Sequence, residues 1–238
     1  MLLRRKWVLL IGLAAACVAQ TAMADNIVTG FSTADNPNGN FSYYYGTGSS
    51  TQTLYTTTQA TTVAGMPAFL SGNPVPDSIL IAGNTTGSAV TSSTVTVPNN
   101  TLWLDPEEYS VGVVFTAPAS GTYDITGDFL GIDVDEGLSS RSLSHPVEIL
   151  DDGTVVWSGT ISSYGQDDSF NFAEALSAGD TIEFEVLTGS SGSCTYCDLG
   201  TGLDGSISEV TATPEPGTLA LLGVGLVGLI GARRRLVA

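Results

Sequence analysis

Carboxylates are the residues with which this sequence could most readily do chemistry. A pair of catalytic acids would support a glycosidase, but spacing alone does not separate such a pair from aspartates in turns. Calcium also prefers oxygen ligands, yet no run matches an Asp-x-Asp-x-Asp-Gly loop followed by a distal Glu. We therefore expect solvated carboxylates by default. The acidic clusters are Asp133, Asp135 and Glu136; Asp151 and Asp152; Asp167 and Asp168; and Asp198 with Asp204.

Other catalytic arrangements lack the residues that they need. The sequence has one histidine, His145, which precedes Pro146, and it contains no Gly-x-Ser-x-Gly nucleophile turn. Its one lysine is Lys6, so no Gly-rich phosphate loop followed by lysine occurs. We predict no enzyme activity and no cofactor.

Several aromatic side chains could stack on the apolar face of a sugar ring. Tyr164 lies in the polar run Ser162–Asp168 and is the better surface candidate. Trp157 follows two valines, so burial in a core is the favoured alternative for Trp157 and for Trp103. The run Tyr43–Tyr45 could contribute to the same platform.

Net charge excludes two classes of partner. The whole chain has a formal charge of −17, and between residues 25 and 212 one arginine, Arg141, stands against 23 acidic residues, which gives −22. Binding of nucleic acid needs clustered Lys and Arg, and so does adsorption to anionic lipid headgroups. We therefore predict neither partner.

Residues 1–24 have the order of a secretory signal peptide. The basic run Arg4–Lys6 precedes the apolar run Trp7–Val18, and small residues at Ala22 and Ala24 fit the pocket of signal peptidase. These features predict an N-terminal signal helix, cleavage after Ala24 and a mature chain that begins at Asp25.

The C-terminal residues carry a second processing pattern. Pro214, Glu215 and Pro216 precede the apolar run Leu219–Ala232, which is followed at once by Arg233–Arg235. The apolar run would form a helix of about 21 Å, shorter than the hydrocarbon core of about 30 Å. We expect a hydrophobic helix that anchors the chain transiently in the inner membrane, with a permanent anchor as the alternative.

These three parts together resemble the PEP-CTERM sorting signal, which here covers residues 213–238 with a transmembrane segment at 218–232. The resemblance implies recognition of Pro214, Glu215 and Pro216 by an exosortase-type membrane enzyme, followed by removal of the tail. It also implies a Gram-negative-type bacterium that exports extracellular polysaccharide, with the protein at the cell surface or in the extracellular matrix. Such tails are also catalogued as a C-terminal domain of ice-binding proteins, a label that says little about the body.

Cys194 and Cys197 lie in a run of small residues, GSSGSCTYCDLGTG. In an exported chain a local disulfide between them is favoured. No helix pattern follows to lower a thiol pKa, and zinc would need two further ligands. Free or intermolecular thiols, and a metal or redox role, are the alternatives. A lipoprotein signal ending at Cys17 is disfavoured because Ala14 stands where a branched apolar residue is expected.

Short alternating runs fill the body of the chain, without amphipathic helices. In the run Thr181–Leu187, apolar residues alternate with Glu183 and Glu185, which predicts a strand with one face in water. Asp152-Gly153 predicts a tight hairpin turn. Many short strands with turn signals are typical of a sandwich or barrel. The predicted strands are Ser78–Ala82, Ser93–Val97, Ser110–Thr116, Thr122–Phe129, Val147–Leu150, Thr154–Trp157, Ser169–Phe172 and Thr181–Leu187.

Composition divides the body into two parts. We place a β-sandwich domain at residues 79–212 and treat residues 25–78, rich in Thr, Ser and Gly, as an N-terminal segment that contributes some strands.

Two runs of the body, Val114–Ile125 and Leu176–Phe184, resemble jelly-roll modules that are similar to galactose-binding and carbohydrate-binding modules. The resemblance spans Trp103–Ile207. It implies an all-β, antiparallel jelly-roll-like β-sandwich, here flanked by the two terminal helices, and weak carbohydrate binding. Related jelly rolls often carry one structural calcium, for which Asp198 is the candidate ligand.

Together these observations predict an exported, exosortase-processed, non-catalytic protein of the cell surface or extracellular matrix that binds polysaccharide weakly. A purely structural, self-associating matrix protein is the alternative, favoured by the Ser, Thr, Gly and Asn content of residues 36–62. Ice binding would need Thr-x-Thr steps repeated on stacked strands, and one such step, Thr94-Val95-Thr96, is too few. A secreted hydrolase is the least favoured alternative.

Overall fold

The alternation of apolar and polar residues produces β-strands across the whole described part of the chain. The computed structural model describes residues 24–46, 52–72, 78–107, 109–135, 144–188 and 200–210. These residues belong to one compact unit, Ala22–Val210. Within them each strand runs antiparallel to the strands with which it pairs.

Eight strands form a first sheet, sheet I. They are β1 (Ala24–Asn26), β4 (Ala60–Val63), β5 (Met66–Gly72), β6 (Ser78–Asn84), β9 (Thr101–Asp105), β11 (Gly121–Gly131), β14 (Asp167–Leu176) and β16 (Thr201–Glu209). Their order across the sheet is β14-β11-β16-β9-β6-β5-β4, and β1 pairs with β16.

Six strands form a second sheet, sheet II, in the order β13-β12-β15-β10-β2-β3. They are β2 (Phe41–Gly46), β3 (Gln52–Leu54), β10 (Ser110–Thr116), β12 (His145–Asp151), β13 (Thr154–Ile161) and β15 (Thr181–Val186). A separate hairpin joins β7 (Val90–Ser92) to β8 (Val95–Val97), and a 3-10 helix spans Thr57–Gln59.

The chain crosses repeatedly between the two sheets. From β10 onwards it passes to sheet I at β11, to sheet II at β12 and β13, to sheet I at β14, to sheet II at β15 and to sheet I at β16. Such alternation between two antiparallel sheets is the winding of a jelly roll. The fold is therefore an all-β, antiparallel jelly-roll-like β-sandwich, as the sequence predicts.

Both terminal helices of the predicted architecture lie outside the described residues. This holds for the signal helix within residues 1–24 and for the transmembrane segment at 218–232. Within the described ranges no helix has the length and apolar character needed to cross a membrane.

The core lies between the two sheets and takes one face of every long strand. In the pairing of β10 with β15, Phe115 lies opposite Ile182 and Val113 lies opposite Phe184, and all four side chains are fully buried. Sheet I contributes Ile125 and Phe129 of β11 to the same buried cluster. Burial of one such side chain contributes roughly 1.5–3 kcal/mol, so this shared face dominates the stability of the fold.

The observed turn agrees with the sequence prediction in one hairpin, and in another it shifts the start of a predicted strand. Asp152 and Gly153 have φ angles of 45° and 78°, the geometry of the tight turn predicted between β12 and β13. The predicted strand Ser93–Val97 is wrong at its start, because Ser93 has a φ of 52° and turns the chain between β7 and β8. The prediction for Ser110–Thr116 matches β10, and β15 ends one residue earlier than predicted, at Val186. The remaining predicted strands are present and longer than predicted.

The N-terminal segment supplies strands to both sheets. Phe41 of β2 pairs with Phe115 in sheet II, and β5 pairs with β6 in sheet I. The side chain of Asn36 fixes the approach to β2, since its Nδ2 donates to the carbonyls of Tyr43 at 2.7 Å and Tyr55 at 2.8 Å. Residues 25–78 thus contribute to the same core as the later strands.

One sequence expectation about sheet II is wrong. Glu183 and Glu185 were expected on a face in contact with water, but their side chains are 6% and 1% exposed. Glu183 accepts a hydrogen bond from the hydroxyl of Tyr44 and a second from Gln52 Nε2 at 2.6 Å. Residues of β2 and β3 therefore cover this part of the outer face.

A glycine makes this cover possible. Gly112 lies opposite both Tyr44 and Glu185 in sheet II, and a Cβ atom at Gly112 would lie 2.6 Å from Tyr44 Cζ. The ring of Tyr44 therefore occupies the space that a side chain at Gly112 would fill, and its hydroxyl reaches across to Glu183 on β15. Alternation along β15 alone could not reveal a cover that comes from β2.

Two buried groups titrate in opposite senses. Burial raises the pKa of Glu185 from 4.5 to about 7, helped by the charges of Glu183 and Glu148 and opposed by a hydrogen bond from Ser110. Burial lowers the pKa of His145 from 6.5 to about 4. As pH rises from about 4 to 7, folding thus loses stability through Glu185 and gains stability through His145.

Replacing the buried carboxyl group of Glu185 should change how the stability of the fold depends on pH. Between about pH 4.5 and 7, Glu185 keeps a proton in the folded state that it has lost in the unfolded chain. The stability that Glu185 contributes is therefore fully present below pH 4.5 and is lost as pH rises towards 7. Glu185→Gln should therefore raise the free energy of unfolding at pH 8 by up to about 3 kcal/mol relative to its effect at pH 4, which removes the loss of stability that Glu185 causes between these pH values. Urea unfolding at a series of pH values measures this, with the exposed-site variant Asp35→Asn as control. An unchanged pH profile in Glu185→Gln would contradict it.

Candidate functional site

Most of the site residues predicted from the sequence lie outside the described ranges. They are Ala22 of the signal cleavage site, the sorting motif Pro214, Glu215 and Pro216, the disulfide candidates Cys194 and Cys197, and the calcium candidate Asp198. Ala24 is described and is the first residue of β1.

The two candidate sugar-stacking residues occupy different surroundings. Trp157 on β13 is partly buried and stacks on Phe129, with ring centroids 5.7 Å apart and planes at 13°. Its ring also meets Phe170 edge-on at 5.8 Å. Tyr164 lies in the loop before β14 and is 50% exposed. Among the ring contacts of the described residues, none joins Trp157 to Tyr164.

The other aromatic residues considered from the sequence are structural. Tyr43 and Tyr44 are fully buried, so a platform built on Tyr43–Tyr45 is wrong. Trp103 is 4% exposed in a second apolar cluster, together with Val95 and Val97 of the hairpin. Its burial agrees with the interpretation of Trp103 as a core residue.

An open groove lies on the outer face of sheet I. Its volume is about 490 Å³, and it crosses β14, β11, β16 and β1. Ile125 and Phe129 of β11 point into the core, so Thr126 and Asp128, which alternate with them on the strand, point outwards. The side chains that line it are amides, hydroxyls and carboxylates: Asn26, Asn100, Asn171, Thr126, Ser169, Ser206, Asp128 and Asp204.

Strand register arranges these side chains in two rows. In the first row Asn171, Thr126, Ser206 and Asn26 lie opposite one another on β14, β11, β16 and β1. Thr126 Oγ1 and Ser206 Oγ share a hydrogen bond of 3.2 Å.

The second row carries the charge. Ser169, Asp128 and Asp204 lie opposite one another on β14, β11 and β16. Asn100, from the turn before β9, closes this row with Nδ2 3.2 Å from Asp204 Oδ1.

Bare backbone forms the floor between the rows. Gly127 and Gly205 lie opposite each other on β11 and β16. A Cβ atom on Gly127 would come within 2.6 Å of Phe170 Cζ and 2.7 Å of Gly205 Cα, and would also clash with the carbonyl oxygen of Asp204. The two strands can pack at this distance because both positions lack side chains.

Carboxylates make the groove electronegative. Partial burial raises the pKa of Asp204, and the charge of Asp128 adds to the rise, while hydrogen bonds from Gly205 and Asn100 oppose it. On β14, diagonal to Asp128, the pKa of Asp167 is raised by desolvation and by interaction with Asp128. No Lys or Arg occurs in the described ranges to neutralise these charges.

Chemically, the groove offers hydrogen-bond donors and acceptors over a length of about three strand spacings, or roughly 14 Å. The residues that the structure describes include no group of three His, Cys, Asp or Glu arranged to hold a metal ion.

Sequence reasoning missed the groove because its residues come from five separate segments. The signal available was the small polar residues at alternate positions of β11, β14 and β16.

Comparison with known proteins identifies the tail. Residues 212–235 match the PEP-CTERM protein-sorting motif, which confirms the resemblance found in the sequence. Such a motif indicates export and a cell-surface or extracellular destination reached through an exosortase. No curated protein matches the sequence.

Solved structures similar to the body include several carbohydrate-binding modules. A family 35 module from Clostridium thermocellum is 15% identical, with 59% of this chain and 86% of that chain covered and a TM-score of 0.28. The CBM36-1 domain of a xylanase from the hindgut metagenome of Trinervitermes trinervoides is 12% identical, with coverages of 73% and 98% and a TM-score of 0.30. Tandem CBM51 modules of a family 98 glycoside hydrolase from Streptococcus pneumoniae are 15% identical, with coverages of 65% and 48% and a TM-score of 0.39. Similarities at this level do not identify a ligand.

A side chain at position 127, on the core side of the strand that forms the groove floor, should be destabilising. Gly127→Ala forces a Cβ atom against backbone atoms of β16, which cannot rotate away, so we expect a loss of about 1–3 kcal/mol in the free energy of unfolding. Thr122→Ala, at an exposed position of the same strand, is the matched control. Chemical denaturation measures both variants, and equal stability would show that β11 and β16 separate without cost.

Proposed function

We propose that this chain is an exported, exosortase-processed, non-catalytic protein of the cell surface or extracellular matrix, whose sandwich binds polysaccharide weakly through the sheet I groove. The observation that carries the binding proposal is the pair of polar rows on β14, β11, β16 and β1. The sorting proposal is supported by the motif at residues 212–235.

The lining of the groove suits a polyhydroxylated ligand. Side-chain amides donate and accept at once, and carboxylates accept two hydrogen bonds, so neighbouring hydroxyls of a sugar ring can be held in pairs. Asn171 and Ser169 on edge strand β14 are exposed and open the groove to solvent. A groove open along its length can receive an internal stretch of a long chain.

The same lining accounts for weak binding. Apolar and aromatic surface supplies much of the affinity in small-molecule sites. In this groove the one aromatic residue is Phe170, whose side chain is 3% exposed because it packs in the core. Binding would depend on hydrogen bonds that compete with water, each worth about 0.5–1.5 kcal/mol.

Processing would occur at both ends of the chain. Signal peptidase would remove residues 1–24, and the exosortase would act at Pro214, Glu215 and Pro216 while the segment 218–232 holds the chain in the inner membrane. The mature protein would then consist of the sandwich, with residues 25–78 and 79–212 folded together. A disulfide between Cys194 and Cys197 would suit this oxidising destination, and Asp198 would be the residue to test for structural calcium.

A second candidate function is self-association in a matrix. The observation that favours it is the edge strand β13 of sheet II, where Val155 and Val156 are 48% and 39% exposed. An edge strand offers unpaired backbone groups to a second copy of the chain. Sedimentation of the mature protein would detect this, and a monomer at high concentration would remove the candidate.

Replacing the sorting motif should block processing. In the native host the wild-type protein should lose about its last 20 residues and leave the inner membrane. The variant with Ala at Pro214, Glu215 and Pro216 should keep its full C-terminus and remain in the membrane fraction. Intact mass and cell fractionation measure both, with Asp35→Asn as a control that keeps the motif. Loss of the tail in the alanine variant would contradict this prediction.

Polysaccharide retention tests the groove. The mature protein should be retained on at least one polysaccharide of a pull-down panel, and Asn171→Ala should weaken retention about fivefold through the loss of one hydrogen-bonding side chain. Thr122→Ala, which lies on the same face outside the groove, should bind like the wild type. The absence of retention on every polysaccharide would remove the carbohydrate proposal.

A further inference from the structure

The charged row of the sheet I groove contains an unfavourable pair. Asp128 on β11 and Asp204 on β16 occupy directly opposite positions, and like charges at such positions destabilise a sheet. Asp167, diagonal to Asp128 on β14, adds a third carboxylate, and desolvation and interaction with Asp128 raise the pKa of Asp167. The fold thus places negative charge where it costs stability.

Nothing in the described part of the chain offsets this charge with a cation. Those residues contain no Lys or Arg, and the one histidine, His145, is buried and neutral above about pH 4. The Asp204 carboxylate accepts hydrogen bonds from neutral groups, the side-chain amide of Asn100 and the backbone of Gly205. A cationic group on the ligand would relieve the repulsion on binding.

We propose that the sheet I groove binds a polysaccharide of amino sugars whose amines are free and protonated. This inference rests on the proposed function and goes beyond it by naming the charge class of the ligand. A sugar ammonium would donate hydrogen bonds to Asp128 and Asp204, while the ring hydroxyls would meet Asn171, Thr126 and Ser206 in the neighbouring row. Ammonium-to-carboxylate hydrogen bonds are roughly twice as strong as neutral ones, so the charged row would supply most of the affinity.

The charge of the body supports the same class of ligand. A segment with a net charge of −22 repels polysaccharides that carry uronate or sulfate groups and attracts those that carry ammonium groups. A neutral polysaccharide would leave the facing carboxylates as unfavourable as they are in the free protein. A divalent cation is the competing occupant, and the experiment below separates it from the amino sugar.

Calorimetric titration of the mature protein tests the proposal with two probes, a glucosamine hexamer and its fully N-acetylated counterpart. The wild type should bind the free-amine hexamer about tenfold more tightly than the acetylated one. Asp128→Asn with Asp204→Asn should abolish this preference. Asp35→Asn with Asp152→Asn removes the same charge from exposed positions outside the groove and should keep the preference.

Stability measurements guard against a folding artefact. Because the groove double variant removes a like-charge repulsion, it should unfold at the same or a higher urea concentration than the wild type. A variant that binds less while being no less stable has lost a ligand contact, not its fold.

Four outcomes would overturn the proposal. Equal binding of the two hexamers, or preference for the acetylated one, would remove the amino-sugar assignment and leave carbohydrate binding intact. The absence of binding to both hexamers and to every polysaccharide of the panel would remove the proposed function as well. Equal losses in the two double variants would mean attraction to overall charge without a site. If Ca²⁺ alone bound more tightly than the free-amine hexamer, and the groove double variant lost this binding, Asp128 and Asp204 would be identified as a metal site.

Discussion

The sharing of one core by two sheets is the constraint on which the rest of the structure depends. Every long strand must turn alternate residues towards the opposite sheet, and Phe129, Phe170 and Phe184 meet there. Once these positions are buried, the period of two fixes which residues face outwards. A shift of β11 by one residue would place Asp128 in the core and Phe129 in the groove. The surface that we propose for ligand binding is thus held in place by packing on the other side of the same strands.

Much of the fold could be predicted from the sequence because its signals are local. Alternation predicted β10 and β15, and Asp152-Gly153 predicted the turn whose φ angles the structure confirms. The burial of Glu183 and Glu185 could not be predicted, since it depends on Tyr44, a residue 139 positions from Glu183 in sequence. The groove was missed for the same reason. It gathers single residues from strands and turns that are distant in sequence, and each of them alone is typical of an ordinary solvent-facing position.

Carboxylates on the outer faces of the two sheets differ in their exposure to solvent. On sheet II, Glu183 and Glu185 are buried beneath residues of β2 and β3. Tyr44 and Gln52 donate hydrogen bonds to Glu183, whereas Glu185 Oε1 is buried without a hydrogen-bond partner among the described residues. On sheet I, Asp128 and Asp204 stay partly exposed beside amides and hydroxyls. A buried carboxylate is closed to other molecules, whereas a partly exposed one remains available to them. This difference in access is why the sheet I pair is the better place to look for a ligand.

The pairing of β1 with β16 joins the first and last described strands, with Ala24 opposite Ser208. Contacts between residues so far apart in sequence form slowly, because the whole intervening chain must be closed into a loop. Sheet I therefore remains incomplete until its last strand has been synthesised. Closure of sheet I by the pairing of β1 with β16 is therefore a late step in the folding of this chain.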